Sequence, residues 1–122
     1  MPSADLIKAL KTALPPACIL EGDILANRPA GVGRSDTIQA PILLRPATTE
    51  EVSMVLRICH AHGQAVVTHG GLSGITHATD TTPDDVVLSL ERMRAIISID
   101  ATQRVAVVEA DATLQQVQEA AD

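Results

Sequence analysis

The positions richest in chemistry lie between Val66 and Ala78, in the run VVTHGGLSGITHA. Gly70, Gly71 and Gly74 lack Cβ atoms and admit backbone shapes closed to other residues, so a ligand can approach main-chain N–H groups closely. Amides turned the same way form an anion-binding concavity, and the hydroxyls of Ser73 and Thr76 add donors suited to phosphate oxygens. The bland alternative is that these glycines only shape a turn between strands. Two familiar phosphate loops are excluded by residue type. A P-loop needs a lysine after its last glycine, and this segment has none. A Gly-x-Gly-x-x-Gly fingerprint must open a helix, whereas this loop runs into ATDTTPDD.

Other reactive side chains offer less. His60 and His62 are two apart on a predicted helix and point to different sides, and a zinc site would need further ligands. Asp84 and Asp85 lack the alternating ligands of a calcium loop and read as turn residues. Cys18 and Cys59 have no metal-ligand spacing and read as buried small hydrophobes. His69 and His77 read as ordinary loop or partly buried histidines, so no residue is assigned a catalytic role.

The elements that must position the loop follow from periodicity and capping. Ser3 precedes a helix carrying Leu6, Ile7, Leu10 and Leu14, stopped by Pro15 and Pro16. Residues 17–40 read as an irregular approach, rich in turn formers around NRPAGVGRSD. PILLRP is a short strand. Thr48 and Glu51 then form a capping-box signature for a helix with Val52, Val55, Leu56, Cys59 and His62 at helical spacing, closed by Gly63. QAVVT is the next strand, which makes a βαβ unit with parallel strands and puts the glycine loop at a strand's carboxyl end, where ligands of open α/β sheets sit. VVLSL is a third strand, AIISID and RVAVVEA an antiparallel hairpin turning at Asp100 to Gln103, and Thr113 with Gln116 caps a last helix of about ten residues.

The chain is long enough for one small domain with a core, at 122 residues. Its formal net charge of −6, with nine scattered Lys and Arg, argues against nucleic acid, which is bound through grouped cations. Phe, Tyr and Trp are absent, so base-stacking platforms are excluded. Apolar runs are far too short for a membrane span, and the N-terminus reads as an amphipathic helix rather than a signal peptide, so a cytoplasmic location is expected.

From Ala40 onward, the order of PILLRPATTEEV, the capped helix, VVTHGGLSGIT, VVLSLERM and the hairpin resembles the first half of the FAD-binding domain of the FAD-linked oxidase family, the vanillyl-alcohol oxidase type. Within it, GGLSGIT looks most like members that oxidise D-2-hydroxy acids: D-lactate, D-2-hydroxyglutarate or glycolate. The resemblance implies an α+β fold, an α/β-like βαβ start followed by an antiparallel hairpin. It implies residues 1–39 as N-terminal helix and lead-in and 40–122 as the first subdomain, ending short of a second FAD subdomain and a substrate domain. It further implies that His69, Gly70, Gly71, Leu72, Ser73, Gly74, Ile75 and Thr76 wrap the FAD pyrophosphate, with Pro46 and VVLSLERM shaping the same cavity. Relatives with covalent flavin use a histidine at the position of Ser73, so non-covalent FAD is expected. Hydride transfer needs residues from the missing segments, so the 122 residues are expected to be inactive alone, and their exposed edges to favour self-association. A stand-alone phosphate- or nucleotide-binding module, or a partner subunit for the missing half, is the competing reading.

Three positions depart from the family pattern. His69 stands where arginine is commonest and His77 where a further glycine is usual, so the His77 side chain is expected either to crowd the pyrophosphate or to force a non-glycine conformation. Asp111 stands where glycine is common, and its carboxylate repels a nearby phosphate unless it caps the last helix.

Overall fold

A computed structural model describes all residues, Met1–Asp122. Helix α1 spans Ala4–Ala13, and the Oγ of Ser3 accepts the Leu6 amide at 3.1 Å. Its stripe is the expected one, with Leu6, Leu10 and Leu14 buried. Leu14 is extended, as a residue before proline should be.

The approach read as irregular is partly ordered. A single 3₁₀ turn, Pro16–Cys18, leads into strand β1, Ile19–Glu21, and a short helix α2, Asp23–Ala26. Strand β1 pairs antiparallel with β2, Ile42–Leu44. Three residues are too few to show a period of two, and only the partner strand, more than twenty positions along, makes this segment extended.

Thr48 caps helix α3, Thr49–Ala61, by accepting the Glu51 amide at 3.1 Å. The reciprocal half of the box is altered: Glu51 Oε2 accepts from the Ala47 amide at 2.8 Å and from the buried Cys18 thiol at 3.3 Å. The helix gives way to Gly63 at φ +61°, the left-handed conformation that ends helices at glycine. Its buried face is Val55 and Cys59 with Val52 and Ile58 half-buried, while Leu56 and His62 are exposed. The stripe is therefore rotated from the expected one, because α1 and the sheet together cover only that side.

Strands β3, Val66–His69, and β4, Val86–Ser89, complete a four-stranded sheet in the order β1-β2-β4-β3. Strands β2, β4 and β3 run parallel, as the βαβ reading requires, but β4 lies between the two strands that α3 connects. Central β2 and β4 are buried throughout, as strands covered on both faces must be. Ile42, Leu44, Val86 and Leu88 face Leu6, Leu10, Val55 and Cys59 of the helices. Leu43 and Val87 face the other way, onto Leu25, Ile38 and Ala40 of the lead-in. Both cysteines are free and buried, and burial raises both thiol pKa values.

A separate hairpin follows: β5, Ile96–Asp100, and β6, Val105–Val108, antiparallel with a register break between Ile96 and Ser98. Asp100 Oδ1 accepts the Thr102 and Gln103 amides and fixes the turn. Helix α4, Leu114–Ala121, is shorter than expected at eight residues and has both halves of its capping box. The hairpin leaves Ile97, Ile99, Val105 and Val107 exposed.

Candidate functional site

The glycine loop starts where β3 stops, at the carboxyl edge shared by the three parallel strands. The backbone amides of Gly70 through Ala78 donate to no acceptor in the chain, and neither do the hydroxyls of Ser73 and Thr76. These donors are presented to solvent, since Gly70, Gly71 and Ser73 to Ala78 are exposed and Leu72 half-buried. Two non-glycine residues take left-handed conformations within it, Leu72 at φ +57° and His77 at φ +62°. At His77 a β-carbon thus occupies a conformation that glycine adopts without strain, so the chain keeps the glycine-like backbone there rather than the non-glycine conformation expected of a histidine. A side chain built at Gly71 or Gly74 would meet nothing within 4 Å, so these glycines are not required by packing.

The ends of the loop are anchored by groups outside it. His69 is 3% exposed, and its Nε2 lies 2.9 Å from the Thr79 carbonyl, closing the loop foot to foot. Thr79 Oγ1 donates to the Ala30 carbonyl at 2.7 Å, and Thr81 Oγ1 accepts the Gln39 and Ala40 amides. Arg34 pairs with both Asp36 and Asp80, and His77 Nδ1 lies 3.1 Å from the other oxygen of Asp80. The Arg34 guanidinium is the main reason the Asp80 carboxyl is held below its ordinary pKa. The lead-in therefore serves as the loop's outer buttress.

Beside the loop lies a cavity of about 310 Å³, walled by Arg28 and Ile38 of the lead-in, by His69 and Gly70, and by Ser89 and Glu91 beyond β4. Glu91 takes both ends of the Arg28 guanidinium, at 2.6 and 3.0 Å, and the Ser89 hydroxyl at 2.8 Å. Arg45, just past β2, stands 3.6 Å away. The hydrogen bonds from Arg28, strengthened by Ser89 and by the charges of Arg28 and Arg45 and opposed by partial burial, pull the Glu91 carboxyl down to about 2. Within the cavity wall Arg28 and Glu91 balance one another, with Arg45 a second cation outside it.

The expected site residues thus divide. His69 to Thr76 are contiguous by construction, and the VVLSLERM segment reaches the same cavity through Ser89 and Glu91. Pro46 does not join them: it is fully buried after β2 and is not part of the cavity wall. Asp111 does not cap α4, a role Thr113 fills; its Oδ1 lies 3.5 Å from where a Gly70 Cβ would stand. Arg28 was not readable from the sequence, because its partner is 63 positions away and its own surroundings read only as turn formers.

Residues 40–122 match the protein family described as "FAD binding domain". Mitochondrial D-2-hydroxyglutarate dehydrogenase of Bos taurus is 31% identical over 115 residues, covering 93% of this chain and 21% of that protein. D-lactate dehydrogenase of Archaeoglobus fulgidus is 34% identical over 80 residues, 66% of this chain and 18% of that one. The chain thus spans about a fifth of the length of these curated relatives. Among solved structures, alkyldihydroxyacetonephosphate synthase superposes with a TM-score of 0.84 at 15% identity, over 99% of this chain and 25% of its own. p-Cresol methylhydroxylase does so at 0.77 and 24% identity, over 95% and 24%. At these identities the structures establish the fold, which is the one the sequence resemblance implied.

Proposed function

The chain belongs to the FAD binding domain family, and from that premise we propose that its glycine loop cradles the FAD pyrophosphate as part of an oxidoreductase acting on a 2-hydroxy acid. The observation that carries the proposal is the unbroken run of free amides from Gly70 to Ala78 at the carboxyl edge of the parallel strands. The residues fit the group in two respects. Open space beside Gly71 and Gly74 lets a phosphate reach the main chain, and Ser73 and Thr76 add hydroxyl donors.

FAD, when bound, would supply the acceptor for the hydride, which carries both electrons of such an oxidation. The residues of this chain bind and orient: the loop amides hold the diphosphate, and the His69 to Thr79 contact keeps the arc in one shape before the ligand arrives. A cavity of about 310 Å³ accommodates part of a dinucleotide, and other polypeptide has to cover the remainder and supply the substrate-activating groups. The 2-hydroxy acid class rests on the D-2-hydroxyglutarate and D-lactate dehydrogenase relatives. The FAD is held non-covalently, since serine stands at position 73, and the 122 residues turn over no substrate by themselves.

Flavin fluorescence titration tests this. FAD is expected to bind, to be released on denaturation, and to support no oxidation of D-2-hydroxyglutarate or D-lactate by the chain alone. Gly71→Val should weaken FAD at least about tenfold while leaving the melting temperature unchanged, because the new side chain meets ligand and not protein. Equal affinity in the two proteins would remove the loop from the site.

A further inference from the structure

We propose that Asp111 is a specificity-determining residue of the loop, one that disfavours a terminal phosphate and so selects a dinucleotide flavin over a mononucleotide. The inference rests on the loop binding the diphosphate.

The carboxylate of Asp111 stands beside Gly70, where the arc begins, with Oδ1 3.5 Å from the position a Gly70 Cβ would occupy. The placement is fixed by main chain: the Asp111 amide donates to the Met93 carbonyl at 2.9 Å, which ties the turn before α4 to the end of the VVLSLERM segment. The carboxylate itself accepts no hydrogen bond and forms no ion pair, and it is only half-exposed. Every cation near the cavity is committed elsewhere, Arg28 and Arg45 to Glu91 and Arg34 to Asp36 and Asp80. An unneutralised negative charge therefore borders a cradle made for anions.

Its effect depends on how the ligand's charge is distributed. A terminal phosphate ester carries nearly two negative charges on one phosphorus at neutral pH. A diphosphate diester spreads the same charge over two, so less of it faces Asp111. Coulomb repulsion at a few ångströms thus penalises FMN more than FAD and leaves riboflavin, which has no phosphate, untouched.

The test is the affinity of this chain, its Asp111→Asn variant and its Asp111→Glu variant for riboflavin, FMN and FAD, with circular dichroism to confirm that each is folded. Asp111→Asn should tighten FMN by about tenfold and FAD by a smaller factor, with riboflavin unchanged, and Asp111→Glu should keep the wild-type ratio. An unchanged FMN-to-FAD ratio in a folded, FAD-binding Asp111→Asn protein would overturn the assignment, as would an equal change in the Glu variant. Failure of all three proteins to bind FAD or FMN would instead strike the loop reading itself, and this inference with it.

Discussion

Glu91 joins segments that are distant in the chain: Arg28 from the lead-in, Ser89 at the end of β4, and Arg45 beyond β2. Its folded carboxyl sits at about 2 against an ordinary 4.5, so the unfolded chain binds the proton more readily. The stabilisation is therefore fully present above about pH 4.5 and is lost as pH falls toward 2. The side chain is 30% exposed, and solvent screening limits its contribution to about 1–2 kcal/mol. Denaturant unfolding of Glu91→Gln should show a loss of that order at pH 7 and a gap from wild type that closes by pH 2. A constant gap across that range would mean the ion pair does not stabilise the fold. At this scale, glycine, serine and threonine in the loop were legible because their chemistry is local. Arg28 and Glu91 were not, because an ion pair between residues 63 apart leaves no sequence period.

The elements carry the loop to its place. Helix α3 sets the distance between β2 and β3, and its first turn depends on Thr48. Thr48→Ala should cost about 1 kcal/mol in unfolding free energy, the usual value of a lost N-cap. The Glu51 carboxylate would keep its Ala47 and Cys18 partners and limit the damage. No measurable loss would show that the Glu51 contacts alone secure this terminus. The sequence made α1, α3, α4, the parallel strands and the hairpin readable, since caps and apolar spacing are local signals. Strand β1 and the insertion of β4 between β2 and β3 were not readable, because pairing partners are chosen by tertiary packing.

The whole molecule is a two-sided parallel-stranded layer with a hairpin and a short helix beyond it. One end is finished: both faces of β2 and β4 are covered, and the lead-in buttresses the loop. The other is open, with Ile97, Val105 and Val107 of the hairpin and Leu114 of α4 facing solvent. The chain spans about a fifth of the length of these curated relatives. The proposed FAD site rests on the free amides of the loop. Amide chemical shifts recorded during an FAD titration test it most directly: the signals of Gly70 to Ala78 should move together and saturate with the fluorescence change. Saturable FAD binding that leaves those amides in place would contradict it.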